Sequence, residues 1–210
     1  MRIDFISDVA CPWCAVGLNS LEQALARLGP DIPVELHFQP FELNPQLEAD
    51  GVDTLEYLSR KYGLSAAQVA QNQQTLRERG AAVGFAFGIR GRVWNTFDAH
   101  RLLAWAGGMG GDAQRRLKHA LLKAYHGEGR NPGSREVLLA LVTELGLDST
   151  AAAAVLDSDA HADEVREAEA LWQRSGIQSV PSVVINRQHL IQGGQPPEVF
   201  EQALRQLASS

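Results

Sequence analysis

Asp8-Val9-Ala10-Cys11-Pro12-Trp13-Cys14 holds both cysteines of a 210-residue chain, spaced C-x-x-C. Ahead of it runs Arg2-Ile3-Asp4-Phe5-Ile6, short, apolar and rich in strand formers. Behind it Leu18, Leu21, Leu25 and Leu28 recur at the spacing of one helix face, until Gly29-Pro30 ends the run. The two thiols therefore fall where a buried strand turns into a helix. Cys11 is expected at the N-cap and Pro12 at the first helical position, where its missing N–H would have been unpaired in any case. Unpaired N–H groups and the helix dipole favour negative charge at that end. A thiolate at Cys11 is thus stabilised, and thiolate is the reactive form. Cys11 is predicted to be the exposed attacker. Cys14, one turn deeper, is predicted to resolve the mixed disulfide.

Two other uses of a C-x-x-C pair compete. A structural disulfide across so short a loop removes little chain entropy. A zinc site needs about four ligands, yet there is no second cysteine pair. His37, His100, His119, His126, His161 and His189 are scattered without ligand spacing. No metal is expected, and C-x-x-C beside a βαβ pattern points to redox chemistry.

Composition narrows the setting. A chain of 210 residues with 45% hydrophobic and 21% charged residues can bury one sizeable core with a subdomain. The net charge of −6 argues against nucleic acid or an anionic membrane as partner. No apolar run approaches membrane-spanning length. Met1 leads directly into the first strand, with no basic region and no apolar segment before it, so the expected location is cytoplasmic. In a reducing compartment, two cysteines are more readily catalytic than structural.

Residues 1–45 read β-α-β, with Val34-Glu35-Leu36-His37-Phe38 as a second, parallel strand and Gln39 to Pro45 irregular. Residues 46–175 read as helices. Asp53-Thr54-Leu55-Glu56 resembles a capping box for a helix to Tyr62, and Ser65 opens another with Val69, Leu76 and Val83 on one stripe. Phe85 to Trp94 is expected to be extended. Asn95-Thr96 caps a helix that ends at Gly107-Gly108. Leucine-rich segments around Leu117–Tyr125 and Leu138–Leu145, an alanine-rich helix and a charged one (Asp159 to Arg174) follow. Residues 176–210 return to strands: Ser182–Ile185 after Val180-Pro181, then His189–Gln192, then a helix burying Val199, Phe200, Ala203, Leu204 and Leu207.

This layout resembles the thioredoxin fold: α/β, with a large all-helical insertion as in the DsbA group. Within that group it is most similar to the FrnE-like oxidoreductases. The matching stretches are Ser7-Asp8…Cys11-Pro12-Trp13-Cys14, Pro40-Phe41-Glu42-Leu43-Asn44-Pro45, Asn95-Thr96…Ala99-His100-Arg101-Leu102, Val180-Pro181 and Gly193-Gly194-Gln195-Pro196-Pro197-Glu198. The expected division is a thioredoxin-like domain of residues 1–45 plus 176–210, with 46–175 as an inserted helical subdomain. The resemblance implies a thiol–disulfide oxidoreductase or disulfide isomerase, with Cys11 as nucleophile, Cys14 as resolving thiol and Pro181 as a cis-proline facing them. It implies no cofactor beyond the cysteine pair. Partners would be protein or small-molecule thiols and disulfides, with glutathione a candidate co-substrate, acting on a monomer or homodimer.

The same superfamily holds kappa-class glutathione transferases and 2-hydroxychromene-2-carboxylate isomerases, so a glutathione-dependent transferase or isomerase is the alternative. Those relatives commonly have serine at the first cysteine position, and this chain keeps both cysteines. The extra C-terminal cysteine pair of some FrnE-like proteins is absent here. A redox-dependent binding module is a third reading. Around the motif, Pro12, Trp13, Val180, Asn95 and His100 are candidate substrate-binding residues. Trp13 would shield the thiols, stack on a substrate or pack on the helical block, and brings no positive charge. Asp8 reads as a turn residue or a proton relay for Cys14. Asn95 and His100 would line a groove above Cys11, or serve as a cap and a packed core residue. Phe85, Phe87, Trp94 and Phe97 read as core or as an apolar wall facing substrate.

Overall fold

The computed structural model describes residues 1–209. Ser210, the last residue of the predicted C-terminal piece, lies outside them. A four-stranded sheet runs in the order β2-β1-β5-β6, from β1 (Arg2–Ser7), β2 (Glu35–Pro40), β5 (Ser182–Ile185) and β6 (His189–Gln192). β1 pairs parallel with β2 across the crossover helix α1 (Pro12–Leu28). β5 returns antiparallel beside β1, and β6 antiparallel beside β5. The β2 strand runs two residues further than its apolar alternation suggested, so that Pro40 pairs beside Ser7.

Strand alternation supplies two apolar faces. Ile3, Phe5, Phe38, Val183 and Ile185 share one core with Leu18 and Leu21 of α1, and with Phe200 and Leu204 of α9 (Pro197–Ala208). Ile6 and Val184 turn to the other face, against Phe41 and Ile177. Each fully buried Leu or Phe there contributes about 1.5–3 kcal/mol. Val199 departs from expectation: it is 41% exposed. Adjacent residues of a helix point about 100° apart, and Phe200 takes the inward direction.

Between β2 and β5 lie a two-residue strand pair, β3 (Val52–Asp53) with β4 (Arg92–Val93), and seven helices among the described residues. These are α2 (Thr54–Tyr62), α3 (Ala66–Ala82), α4 (Phe97–Gly107), α5 (Ala113–Leu122), α6 (Arg135–Glu144), α7 (Ser149–Leu156) and α8 (Ala162–Arg174). Asp53 caps α2 through Leu55 N and Glu56 N, while the reciprocal capping box forms at Ser65 and Gln68 of α3. Leu102, Leu117, Leu121, Leu138 and Val142 build the helical core. The aromatic stretch splits between the two cores. Phe85 and Phe87 pack with the sheet core, and Trp94 packs on the helical one. Phe97 lies under the Arg166 guanidinium at 4.2 Å. No helix of the described residues is long and apolar enough to cross a membrane.

Candidate active site

The chain leaves β1 at Ser7, turns through Asp8–Ala10 and enters α1 with Cys11 as N-cap and Pro12 at N1. The turn is closed by Cys11 N donating to Asp8 O at 3.2 Å. The Cys11 side chain does not cap its own helix. Its thiol donates instead to the Val180 carbonyl at 3.4 Å, and the Val180–Pro181 bond that follows is cis. The exposed attacker expected from the sequence is corrected here: Cys11 is only 6% exposed and Cys14 fully buried. The segment bearing Val180, just before β5, lies against both Cys11 and α1. Gly17 permits that closeness, because a Cβ there would meet Pro181 Cγ at 2.8 Å.

Electrostatics distinguish the two thiols. A hydrogen bond from the Cys14 thiol pulls the Cys11 pKa below its ordinary value; burial opposes it, and the backbone N–H groups of Cys14 and Trp13 assist. Burial pushes Cys14 well up, and so does its exposure to a negative Cys11; Lys118 counteracts weakly. Of the two thiols, Cys11 is the easier to ionise and Cys14 the harder.

Behind the thiols sits a polar cluster from four separate segments. The fully buried Asp8 carboxylate accepts from Ala10 N at 3.0 Å, Leu43 N at 2.7 Å and Thr96 Oγ1 at 2.7 Å. His100 Nε2 lies 3.3 Å away. Burial alone would raise the Asp8 pKa, but the hydrogen bond and charge of His100 and the two backbone N–H groups hold it low. Burial in turn lowers His100, so at neutral pH an imidazole donates its Nε2–H to an ionised Asp8. Lys118 of α5, also buried, is lowered by burial and drawn back by Cys14, Asp8 and Cys11.

The candidate residues divide accordingly. Cys11, Cys14, Pro12, Trp13, Val180 and Pro181 come together. His100 is packed in the buried cluster against Asp8. Asn95 Oδ1 accepts from Phe97 N at 2.8 Å just ahead of α4, while Thr96, the N-cap residue, makes no side-chain cap and turns its hydroxyl to Asp8. Trp13 packs against Gly194 and lies under the Arg79 guanidinium of α3, 6.0 Å from its ring centre. Positive charge therefore does reach this tryptophan, from another helix.

Arg90 and His126 escaped the sequence reading. Arg90 Nη1 donates to Ala10 O at 3.1 Å, and His126 Nε2 to Val9 O at 2.8 Å. Together they fix the two carbonyls just before Cys11. Burial and the Arg90 charge push His126 down to about 3, so it stays neutral. It lies on a π-helical turn, Lys123–Gly127, that continues α5. Only its apolar surroundings (Leu121, Leu122, Tyr125) hinted at burial. Among the described residues no group of three or more His, Cys, Asp and Glu is arranged to hold a metal ion.

Residues 2–205 match the family described as DSBA-like thioredoxin domain. The crystal structure of a probable DsbA oxidoreductase from Streptomyces coelicolor superposes with a TM-score of 0.93 at 37% identity, covering 100% of this chain and 91% of that one. A 2-hydroxychromene-2-carboxylate isomerase is similar at TM-score 0.75 and 18% identity, covering 99% and 97%. The cytosolic disulfide reductase DsbM from Pseudomonas aeruginosa, solved with glutathione, is similar at TM-score 0.70 and 17% identity, covering 100% of both chains. At these last two identities the likeness is one of fold.

Proposed function

The chain belongs to the DSBA-like thioredoxin domain family, and on that premise we propose that it is a thiol–disulfide oxidoreductase working through its Cys-Pro-Trp-Cys motif. The carrying observation is the placement of the pair: Cys11 sits at the N-cap of α1 against the Val180 carbonyl before the cis-proline, with Cys14 fully buried, and the surroundings lower the Cys11 pKa while raising that of Cys14. The Cys11 thiolate attacks one sulfur of a substrate disulfide. A mixed disulfide forms and the first substrate thiolate leaves. Cys14 then gives up its proton and attacks the Cys11 sulfur, releasing the second substrate thiolate. The substrate gains two electrons, and the protein is left with a Cys11–Cys14 disulfide. The reverse sequence oxidises a dithiol substrate.

Asp8 and Lys118 flank this chemistry as positioning groups. The ammonium favours the transient Cys14 thiolate, and the carboxylate keeps the turn in register. Trp13, Pro12 and Val180 form the surface that meets substrate. Glutathione is the proposed small-molecule partner, since Arg79 and Arg90 place two guanidinium groups around the motif of an acidic protein. A reducing compartment, the cytosol, suits a chain whose cysteines are confined to this motif.

The test is a titration of the purified protein in glutathione buffers, with mass spectrometry of acid-quenched samples. A transition losing two hydrogens with no adduct is expected. A potential near about −270 mV would assign a reductase, and one well above it an oxidant or isomerase. Cys11→Ser should abolish exchange, and Cys14→Ser should accumulate mixed disulfides. Undiminished exchange by Cys11→Ser would overturn the assignment. Steady turnover of an electrophile with glutathione by Cys14→Ser would replace it with the transferase reading.

A further inference from the structure

A cavity of about 410 Å³ opens between the sheet edge and the helical block. Its walls are β2, α4, α5 and α8. Phe38, Pro40, Leu103, Ala104, Val165 and Ala168 give it apolar sides. Its size is in the range of small-molecule pockets. The two residues of its lining with a fixed charge, Glu164 and Lys118, differ in placement. Glu164 is 63% exposed and already bonded to His161 Nδ1 at 2.7 Å. Lys118 is 1% exposed and makes no hydrogen bond or ion pair among the described residues. His100, beside it, is committed to Asp8.

A buried ammonium carries three donors and is strongly penalised when they find no acceptor. The Asp8 carboxylate and the two cysteines reach Lys118 only through space. Lys118 also borders the cavity, which offers its donors room for an acceptor. An occupant that satisfies them must bring oxygen acceptors, preferably charged, on a body that suits apolar walls.

We propose that this cavity is a binding site for a small organic carboxylate, whose carboxyl group pairs with the Lys118 ammonium while its apolar part packs against Phe38, Leu103 and Val165. The site shares no lining residue with the Cys11–Val180 face and does not rest on the exchange chemistry. It does meet that chemistry from the rear, because the same ammonium faces Cys14.

Benzoate is the probe and benzamide its neutral counterpart, followed by saturation-transfer NMR and thermal shift on the full chain. A ligand that binds only the folded state raises the melting temperature with concentration. Benzoate should bind, benzamide at least tenfold more weakly. Lys118→Met should lose benzoate binding tenfold or more. Ala104→Phe, which fills the cavity from α4 and leaves the ammonium in place, should lose it as well while thiol–disulfide exchange continues. Binding should survive alkylation of Cys11. Equal binding of benzoate and benzamide, unchanged binding by Ala104→Phe, or no binding of benzoate up to millimolar concentration would each overturn the proposal. Should Lys118→Met fail to fold, Ala104→Phe and the benzamide comparison still decide it.

Discussion

Asp8 concentrates most of the local order at the scale of single residues. Four donors converge on its carboxylate from Ala10, Leu43, Thr96 and His100, three of them distant in sequence. Asp8→Asn keeps the shape but turns one oxygen into a donor, facing an N–H or O–H with nothing to accept it. The expected loss is about 1–3 kcal/mol at neutral pH. The pH dependence has a definite sign. Because the folded-state pKa of Asp8 is lowered, its stabilisation is present above the ordinary aspartate value of about 3.9 and vanishes as pH falls through the folded value. Urea unfolding of both proteins should show the full difference at neutral pH and a shrinking one in acid. Equal stability at neutral pH would dismiss the role. The cysteine roles were legible in the sequence, since they follow from a strand-to-helix junction and a C-x-x-C spacing. Lys118, Arg90 and His126 were not: each acts on the motif only because the helical block lands against it, and nothing local marks that landing.

Elements meet the motif through close approaches and through buried charge. Helix α1 reaches Pro181 across the bare face of Gly17. Gly17→Ala should push the β5 entrance away from Cys11, at about 1–3 kcal/mol for the overpacking, and should loosen the thiol's contact with Val180. Urea melts and the rate of Cys11 alkylation report the two effects, and an unaltered melt would rule out the clash. On the other side, α8 sets Glu169 against Glu42 of the loop after β2, with one oxygen of each buried and unbonded. Burial, then mutual repulsion, raises Glu42 to about 8; burial raises Glu169 to about 7. Raised carboxyl values mean stability that is complete below the ordinary glutamate value of about 4.3 and declines as pH rises through the folded one. Glu42→Gln should therefore match the wild type in mild acid and exceed it above pH about 8, by about 1 kcal/mol or more. Melting curves across that range check it, and parallel curves would refute it. Helix ends at Gly29, Gly63 and Gly146 were readable because glycine and capping residues are local signals. The π-helical turn was not: its continuation from α5 answers to His126 reaching Val9 O and Tyr125 Oη reaching Arg92 O, contacts set by tertiary structure.

For the whole molecule, the order of strands and helices could be written from hydrophobic period and turn residues, because each element is specified by its own neighbours. How the two expected divisions, residues 1–45 plus 176–210 and residues 46–175, share their interiors could not. Phe85 and Leu122, from the inserted segment, are buried in the core under the sheet. Val9 and Ala10, from the motif turn, are buried in the helical core. The Asp8 cluster crosses the same boundary through Thr96 and His100. Neither core is closed without residues from the other segment, so separation would expose apolar surface and strand a buried carboxylate at once. The molecule should therefore unfold in one cooperative step, with calorimetric and van't Hoff enthalpies in agreement. Leu122→Ala in α5 tests the coupling directly. Its side chain is fully buried, and its truncation should remove about 2–5 kcal/mol. If the cores are joined, the whole transition moves down as a unit, and tryptophan emission (with Trp13 at the motif and Trp94 and Trp105 in the helical block) shifts in step with helical circular dichroism. A melt that splits into two steps, with the sheet unit lost first and the helical block retained, would show that the cores are independent.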